Sequence, residues 1–576
     1  MSTLQGAKYL WKLPEYNQQL VSDLVLANNL SFPIVQTLVS RGHTTQQACE
    51  QFLFSSYEKD VAHPGLLKDA HKAVDRIIFA IKNNQKILIA GDYDVDGITS
   101  SALMMICLAP LGAQVNFFLP HRVNDGYGLS IKTVQRAAQN GYNVIITVDN
   151  GITAFEPALE AKKLGIDLII TDHHRPHDHL PEAFAVIDPY QAGCEYPYKK
   201  FAGVGVGFKI MTLLYERMGL ELPAQVYELL LLGTVADVVP LTGENRFWVR
   251  HGLQKINALE SLALKTLKQN ARFTKPAVSS QDIGFFITPQ INALGRLEDP
   301  RQGVKFLVGA DALETAQIGK VLGQLNEARK AIERSVLADV EVEILEKRIN
   351  LEHDSVIIAA SSKWPPGVIG LVASRLVSAY GRPAILLHLT ANGLAKGSCR
   401  SIAEFNMFDA LAASQDLLES FGGHSVAAGL SLRAEKLPEL KARLQKRVND
   451  LLTVDDLKQK IKIDAELTLP EANKKLMSDM SYLEPFGCEN SQPLFRVKNV
   501  TILENPILLK DVHIKCELFA DGITKSVIFF NRPELFERLI AHKNEPFDIA
   551  AYVTENHWNG RVNVELQGID IAGLPA

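Results

Sequence analysis

The chain has 576 residues, of which 47% are hydrophobic and 22% charged, and its formal net charge is −5. This length exceeds what one hydrophobic core can organise, so we expect several domains. The negative balance argues against a histone-like protein that binds nucleic acid with its whole surface, although it leaves room for a local basic groove. The sequence contains no signal-peptide pattern and no apolar run long enough to cross a membrane, and its six cysteines are scattered. These features predict a cytoplasmic protein with reduced thiols and no membrane contact.

The first half of the chain carries the pattern of an α/β domain. Residues 1–65 predict a small helical region. Across residues 66–260, short apolar segments alternate with helical ones such as 154–164. The candidate strands are 86–90, 115–119, 144–148, 168–170 and 185–187. Because these strands are apolar throughout rather than at alternate positions, they predict a parallel sheet covered on both faces.

The second half predicts three further segments. Residues 261–350 form a linker region with one long helix over 311–350, in which Ile318, Leu322 and Leu325 begin a helical spacing of apolar residues. A second α/β domain over 351–455 has strands at 355–359 and 384–388 and a helix beginning near Gly370. Residues 456–576 are rich in strands and hairpins and predict a small β-barrel. The predicted fold class is therefore α/β, with two α/β domains joined by a long helix and a C-terminal barrel.

Acidic residues and histidines follow the predicted strands of the first domain. Asp92, Asp94 and Asp96 follow the strand 86–90, and Asp149 follows 144–148. Asp172, His173 and His174 follow 168–170, and the apolar stretch 229–232, which we interpret as a fourth strand, leads to Asp237. Ligands of open parallel sheets bind beyond the carboxyl ends of the strands, so these side chains are expected to converge.

A converged cluster of carboxylates repels itself unless it takes up protons or cations. Carboxylate oxygens with an imidazole suit Mn²⁺ or Mg²⁺. Two such ions about 3.5–4 Å apart can hold the attacking and leaving oxygens of a phosphoryl displacement. The pattern therefore predicts a two-metal centre for phosphoryl chemistry.

Each part of this pattern also has a blander interpretation. A single Asp-Gly after a strand is most often a turn, but four such ends with two adjacent histidines are not explained by turns alone. The DxDxDG string is similar to a calcium-binding EF-hand loop, which requires a glutamate where this chain has Leu103. His177 and His179 lie beyond the strand end and are excluded from the site.

The motifs GDYDVDG, VDNG, TDHH and GTVADVVPL, in this order, resemble those of the DHH phosphoesterase superfamily. The motifs NALGR, LNEARK, KGSCRS, FGGHSVAAG and LEPFG extend the resemblance along nearly the whole chain to the RecJ family, the bacterial 5′→3′ exonucleases specific for single-stranded DNA. The resemblance identifies residues 66–260 as a DHH catalytic domain, 351–455 as a DHHA1-type substrate-binding domain and 456–576 as an OB-fold-like domain.

The resemblance implies roles for the acidic cluster. The metal ligands implied are Asp94, Asp96, Asp149, His173 and Asp237, with Asp149 bridging two ions. Asp172 would orient the adjacent histidine, and His174 would contact the phosphate that is attacked. Many relatives carry a histidine where this chain has Ala90. One metal site is therefore expected to be weak, or to be completed by Asp92 or water.

Substrate contacts follow from glycines placed beside polar donors. In 397–400 and 421–424, glycine allows backbone amides to approach a phosphate, and a following helix N-terminus would favour its charge. The resemblance assigns the terminal 5′-phosphate to Arg296, Ser398 and Arg400, the same cleft to His424 and Asn292, and a backbone contact to Arg122. Trp558 fits a base-stacking role and a core-packing role equally well.

The implied function is a metal-dependent exonuclease that threads a 5′ end between the two α/β domains and releases 5′-mononucleotides in DNA repair and recombination. A single-strand-binding protein and a helicase are the expected protein partners of a monomeric enzyme. One rival is a phosphodiesterase for short oligonucleotides or cyclic dinucleotides. The other is an inactive scaffold that only holds single-stranded DNA, whose expected mark is the loss of acidic ligands.

Overall fold

The structure is a computed structural model that describes residues 2–122, 125–558 and 561–574, and leaves the side chains of 557, 558 and 561 undescribed. The chain forms two compact units. One consists of Phe54–Ala328 and Glu484–Ser491, and the other of Met1–Leu53, Arg329–Leu483 and Gln492–Ala576. None of the helices within the described ranges is long and apolar enough to cross a membrane. All six cysteines are free thiols.

The amino-terminal region is helical only after an initial pair of short strands. These elements are β1 (Thr3–Gln5), β2 (Leu10–Lys12), α1 (Gln18–Asn28), α2 (Phe32–Ser40) and α3 (Gln46–Leu53). The indole of Trp11 is fully buried and donates a hydrogen bond of 2.9 Å to Asp570. The predicted helical region thus also contains two short strands, which the sequence did not reveal because strands of three residues are too short to show a period.

The unit that contains Phe54–Ala328 is built on a parallel sheet of five strands. They are β3 (Lys86–Ala90), β4 (Gln114–Phe118), β5 (Tyr142–Val148), β6 (Asp167–Thr171) and β7 (Ala185–Ile187). Their order across the sheet is β4-β3-β5-β6-β7, and every neighbouring pair is parallel. The apolar side chains of the central strands are buried, which confirms the predicted parallel sheet covered on both faces.

Helices surround this sheet and complete the unit. In chain order they are α4 (Tyr57–Asp60), α5 (Ala70–Lys82), α6 (Val95–Leu108), α7 (Ile131–Gln139), α8 (Phe155–Lys163), α9 (Gly203–Met218), α10 (Val226–Ala236), α11 (Gly243–Ala258), α12 (Leu262–Asn270), α13 (Ser280–Asp282), α14 (Thr288–Asn292), α15 (Leu294–Leu297) and α16 (Arg301–Val308). A π-helical turn, Ile283–Ile287, lies between α13 and α14. The long helix predicted over 311–350 is α17 (Ala312–Leu345).

The stretch 229–232 is not a strand, contrary to the sequence prediction. It lies inside α10, whose side chains from Leu229 to Leu232 are all buried. A short run of consecutive apolar residues fits a buried helix as well as a buried strand, so the sequence pattern alone could not separate the two.

The second α/β part has a mixed sheet of five strands. Its elements are β8 (Ile357–Ser361), α18 (Pro366–Tyr380), β9 (Ala384–Leu389), β10 (Leu394–Arg400), α19 (Met407–Ala412), β11 (Leu418–Gly423), β12 (Ala427–Arg433) and α20 (Leu437–Leu451). The order is β11-β12-β10-β9-β8, with only β8 and β9 parallel. The segments 397–400 and 421–423 are strand residues here. The expected glycine loops leading into a helix are therefore wrong, because cross-strand pairing occupies both segments.

The last part of the chain forms the predicted barrel. Its elements are β13 (Lys460–Lys462), β14 (Ala465–Leu467), α21 (Lys474–Ser481), β15 (Phe495–Ile502), β16 (Ile507–Leu509), β17 (His513–Ala520), β18 (Ile523–Phe529), α22 (Phe536–Ala541), β19 (Phe547–Trp558) and β20 (Arg561–Ala572). Pairing of β15 with both β19 and β17 closes the ring β15-β19-β20-β18-β17. The predicted turn at 559–560 lies outside the described residues.

Candidate metal centre and substrate site

Three neighbouring strands deliver the acidic cluster to one edge of the parallel sheet. The ends of β3, β5 and β6 lead to Asp96, Asp149 and His173. The Nε2 atom of His173 lies 3.1 Å from Asp149 Oδ1, 3.9 Å from Asp96 Oδ2 and 3.7 Å from Asp237 Oδ2. The structure therefore brings together the residues that the sequence placed at separate strand ends.

Asp96 is fixed by the meeting of two helix N-termini. It lies in the first turn of α6, and its carboxylate accepts hydrogen bonds from the backbone N–H groups of Gly203 (2.6 Å) and Val204 (2.8 Å) at the start of α9. Backbone N–H groups and the positive ends of two helices favour the ionised carboxylate. The adjacent Asp94 caps α6 by accepting from the N–H of Gly97 at 3.1 Å.

Glycine is required at two positions around these aspartates. A Cβ on Gly97 would lie 2.4 Å from the backbone oxygen of Asp92, and a Cβ on Gly203 would lie 2.5 Å from the Cβ of Asp149. Asp149 itself has a φ of +61°, in the left-handed region that non-glycine residues seldom occupy. Such backbone strain is found mainly where a site demands one side-chain direction.

Asp237 reaches the cluster from a helix and not from a strand. It is the C-cap residue directly after Ala236, the last residue of α10, and its Oδ2 atom is buried without a hydrogen-bond partner among the described residues. The C-terminal end of a helix carries partial negative charge, which disfavours a carboxylate and favours a cation. A cation bound to Asp237 would therefore give its Oδ2 atom a partner and would offset the repulsion between the carboxylate and the negative end of the helix.

Asp172 holds the imidazole of His174. One of its oxygens accepts from His174 Nδ1 at 2.7 Å and from the backbone N–H of His173 at 2.8 Å, and the other accepts from the N–H of Ile152 at 2.9 Å. The sequence predicted that Asp172 orients the metal-binding histidine. In the structure its side chain bonds the ring of His174, and it contacts only the backbone of His173.

Burial sets the protonation of the carboxylates. It raises the pKa of Asp92 to about 8 and that of Asp96 to about 7, with the charge of Asp94 as the next cause for both. The pKa of Asp149 and of Asp237 is also raised well above the ordinary aspartate value, first by burial and then by Asp96. Without cations, this cluster holds protons at neutral pH.

The pKa values of the two histidines shift in opposite directions. Burial, followed by the charge of His174, lowers the pKa of His173 to about 4, so its imidazole is neutral and free to donate a lone pair. Burial opposes protonation of His174 as well, but the hydrogen bond and charge of Asp172 outweigh it and raise the pKa of His174 to about 9. His174 is therefore a cation at neutral pH.

The donor set fits hard divalent cations. Ligand atoms of Asp96, His173 and Asp237 lie within 4.8 Å of one another, and so do those of Asp92, Asp94 and Asp149. The Oδ1 atom of Asp92 is buried without a hydrogen-bond partner among the described residues. Oxygen ligands and one imidazole suit Mn²⁺ or Mg²⁺ better than structural zinc, which prefers thiolates.

Two tyrosines at this edge were missed by the sequence analysis. The hydroxyl of Tyr127 donates to the backbone oxygen of Asp149 at 3.2 Å, and its ring packs edge-on against Tyr93 and His174. The guanidinium of Arg122 lies 4.3 Å from the centroid of the Tyr93 ring. Arg122 is thereby placed beside the cluster, while the excluded His177 and His179 pack against Phe155 away from it.

Three of the predicted substrate residues lie at one end of the mixed sheet. The guanidinium of Arg400 donates to Ser398 Oγ and to Ser374 Oγ, both at 3.1 Å. Gly370 of α18 packs against Ser398 and Arg400 so closely that a Cβ would lie 2.7 Å from Ser398 Oγ. Arg400 ends β10 opposite Ala427, and the exposed His424 lies in the turn that leads to Ala427.

The remaining predicted residues are placed separately. Arg296 lies in α15, next to Gly295, whose added Cβ would lie 2.2 Å from the backbone oxygen of Tyr93. Asn292 ends α14, and its Oδ1 atom is buried without a hydrogen-bond partner among the described residues. Both belong to the unit that holds the acidic cluster. The side chain of Trp558 lies outside the described part of the chain.

The raised carboxylate pKa values predict a pH-dependent response of stability to metal. Unfolded aspartates lose their protons near pH 4, whereas Asp96 and Asp92 keep theirs to about pH 7 and 8. The folded state thus binds more protons between these limits, and metal-free stability falls as pH rises through them. We expect the increase in Tm on adding Mn²⁺ to be several degrees larger at about pH 8.5 than at about pH 5.5.

Calorimetry with EDTA or with Mn²⁺ at both pH values measures this difference. The Asp149→Ala variant serves as a control in which the metal-induced increase shrinks at both. An increase in Tm that is equal at the two pH values, or absent at both, contradicts the prediction.

Comparison with known proteins agrees with this geometry. Models of the DHH family N-terminal domain, the DHHA1 domain and the RecJ OB domain match residues 86–234, 353–450 and 463–570. The single-stranded-DNA-specific exonuclease RecJ of Bacillus subtilis is 35% identical over 569 residues, which cover 98% of this chain and 71% of that protein.

Two solved structures of RecJ from Thermus thermophilus are also similar. The Mn²⁺ complex matches with a TM-score of 0.84 and 27% identity, over 98% of this chain and 80% of that one. The Mg²⁺ complex matches with a TM-score of 0.76 and 25% identity, over 98% and 79%. Both complexes contain bound metal, and the similarity to them covers 98% of this chain. It therefore includes the parallel sheet, the acidic edge, the mixed sheet and the barrel. On this evidence the chain belongs to the RecJ family of DHH-type nucleases.

Proposed function

We propose that this chain is a single-stranded-DNA-specific 5′→3′ exonuclease that releases 5′-mononucleotides by metal-ion-assisted hydrolysis and acts in DNA repair and recombination. The observation that carries the proposal is the buried cluster around Asp96, Asp149, His173 and Asp237 at the carboxyl edge of a parallel sheet, in a chain of the RecJ family. The inactive-scaffold alternative is disfavoured because every predicted acidic ligand is present and converges.

The proposal includes two ions. It is supported by two ligand groups, one of Asp96, His173 and Asp237 and the other of Asp92, Asp94 and Asp149, with Asp149 within 3.1 Å of His173. Asp92 would complete the group that lacks a histidine at position 90. When bound, the ions supply Lewis-acid stabilisation of the phosphodiester and an activated water.

The chain's own residues have distinct proposed roles. Asp172 keeps His174 protonated and fixes the direction of its ring, so that its Nε2–H can donate to the phosphate under attack. His173 stays neutral and offers its Nε2 lone pair to a cation. Asp149, held in the left-handed region and packed on Gly203, is placed to bridge both ligand groups.

Ser398 and Arg400 are the proposed ligands of the terminal 5′-phosphate. Support comes from their 3.1 Å hydrogen bond, which holds a guanidinium and a hydroxyl side by side next to α18. A guanidinium is well suited to a phosphate dianion. His424, Asn292, Arg296 and Arg122 are proposed as further substrate contacts, and Trp558 as a base-stacking residue of the barrel.

The proposal also covers the organisation of the chain and its surroundings. We assign residues 1–65 to an amino-terminal region, 66–260 to the catalytic domain and 261–350 to the linker with α17. Residues 351–455 and 456–576 are the DHHA1-type and OB-like domains, and the family-model matches fall inside these limits. A monomeric enzyme in the cytoplasm that works with a single-strand-binding protein and a helicase completes the proposal.

Single strands labelled at the 5′ or the 3′ end test activity, polarity and metal together. We expect the 5′ label to appear at once as a mononucleotide, while the 3′ label stays on progressively shorter strands, with Mn²⁺ or Mg²⁺ and not with EDTA. A duplex of the same sequence should remain intact. Loss of the 3′ label first would contradict the polarity, and hydrolysis restricted to dinucleotides or cyclic dinucleotides would favour the small-substrate phosphodiesterase.

A further inference from the structure

Two adjacent phenylalanines are exposed on the unit that holds the acidic cluster. Phe285 is 75% exposed and Phe286 is 50% exposed, although both lie in an ordered helical segment whose neighbours Ile283 and Ile287 are fully buried. Phenylalanine is normally placed in a core because burial of its ring is stabilising. Two neighbouring rings in water therefore need a reason other than packing within the described chain.

The segment has an unusual backbone that aims these rings outward. Ile283–Ile287 is a π-helical turn, and such turns are rare and concentrate at functional sites. Its geometry is secured by the side chain of Gln290, which donates to the backbone oxygens of Phe286 (2.8 Å) and Leu267 (2.9 Å). The hydroxyl of Thr288 donates to the backbone oxygen of Ile283 at 3.1 Å. The turn is thus a fixed platform and not a frayed loop.

The platform lies close to the catalytic cluster. An added Cβ on Gly284 would lie 3.6 Å from Val235 Cγ1, and Val235 is two residues before Asp237 at the end of α10. Val235 and Asp237 are separated by only about 3 Å along the helix axis, so the turn packs against the same end of α10 that carries Asp237.

Cations flank the same turn. The ammonium groups of Lys268 and Lys275 lie 5.7 and 6.0 Å from the centroid of the Phe273 ring. Lys268 pairs with Glu260 at 2.8 Å, and Lys275 pairs at 2.6 Å with Asp282, the residue directly before the π-helical turn. Arg272, between the two lysines in the chain, is exposed. Exposed aromatic rings beside lysine and arginine match the way proteins hold single strands without reading their sequence.

We propose that Phe285 and Phe286 form a base-stacking platform for the single strand, beside the end of α10 that carries Asp237. The exposed Arg272 and the contact of the turn with α10 favour a nucleic-acid strand as the occupant. The proposal rests on the proposed nuclease function and extends it, since it names the residues that hold the part of the substrate beyond the scissile nucleotide.

Substitution of both rings tests the platform. We expect Phe285→Ala with Phe286→Ala to raise the KM for an oligo-dT of about twelve nucleotides roughly tenfold while kcat changes little, because stacking on these rings is lost. Hydrolysis of a dinucleotide, which cannot reach the platform, should keep its wild-type rate. Fluorescence anisotropy with the same labelled oligo-dT in EDTA should show a matching loss of affinity.

Control variants separate stacking on the two rings from a general loss of exposed apolar surface. Phe79→Ala removes a ring that is 53% exposed on α5 of the same unit, and it should leave both substrates unaffected. Phe285→Trp with Phe286→Trp should retain the affinity for the long strand, whereas Phe285→Leu with Phe286→Leu should not. Affinity retained in the double leucine variant, or wild-type KM in the double alanine variant, would overturn the platform.

The outcome also distinguishes this proposal from the one it rests on. If the wild-type protein degrades long single strands and the double alanine variant does so equally well, the stacking platform is disproved and the nuclease function stands. If the wild-type protein neither binds nor degrades single strands, both the platform and the nuclease function are disproved. Circular dichroism of each variant checks the fold, which exposed positions should not disturb.

Discussion

Replacing Asp149 with alanine is expected to lower nuclease turnover by at least about a thousandfold, because a metal-bound site supplies several kcal/mol of charge stabilisation and each 1.36 kcal/mol is about tenfold in rate. Asp149 is the carboxylate nearest to His173, at 3.1 Å, and it belongs to a separate ligand group with Asp92 and Asp94. Its loss therefore weakens both groups at once. The measurement is single-turnover release of 5′-mononucleotide at saturating Mn²⁺.

A matched control lies in the same sheet. Asp167 begins β6 at the opposite edge and pairs with Arg76 at 2.6 Å, with a side chain that is 40% exposed. Asp167→Asn removes a carboxylate charge without touching the cluster, and turnover should stay within about twofold of wild type because Asp167 lies at the other end of β6 from His173. If the turnover of Asp149→Ala equals that of Asp167→Asn, the proposed metal centre takes no part in the reaction.

Replacing Lys209 with methionine is expected to lower the free energy of unfolding by about 3–5 kcal/mol, the usual cost of leaving one member of a buried ion pair unpaired. Lys209 is 1% exposed in α9 and forms an ion pair with Glu244. The rings of Tyr196 and Trp248 lie 5.3 and 5.4 Å from its ammonium group. Burial lowers the pKa of Lys209, and the charge of Glu244 opposes that shift.

Urea unfolding followed by tryptophan fluorescence measures the loss, since Trp248 contacts the ion pair itself. Adding Glu244→Gln to the Lys209→Met variant should recover part of the stability, because the unpaired charge is then removed. Trp248, which contacts Oε1 of Glu244 at 3.0 Å, would donate to the amide oxygen, and the amide NH2 group would donate to the hydroxyl of Tyr196, which contacts Oε2 at 2.7 Å. If the free energy of unfolding of Lys209→Met lies within about 1 kcal/mol of the wild-type value, this account of α9 is contradicted.

The sequence was most informative where the relevant signal is local. The consecutive apolar residues of β3, β5 and β6 could only be satisfied by a sheet buried on both faces, and β7 was predicted to its ends. The polar residues after those strands had to share an edge, since parallel strands place their carboxyl ends together. The resemblance to DHH and RecJ motifs then gave the cluster its chemistry.

The same local signals failed where a segment is compatible with two elements. The buried run from Leu229 to Leu232 has no polar residue to reveal its period, and it proved to be helix. The segment 397–400 contains glycine and serine, which indicate a turn, but pairing with β9 and β12 makes it a strand. Cross-strand contacts of this kind are not visible in a short window of sequence.

What the sequence determined by itself is the family, the α/β class and the residues that meet in the acidic cluster, because each depends on short motifs or on the order of strands. The tertiary structure alone decided how those residues are held. Asp96 receives its hydrogen bonds from backbone groups 107 and 108 positions away, and Asp172 turned out to hold His174. Direction, protonation and strain arise from contacts between segments that are distant in the chain, and only folding brings those segments together.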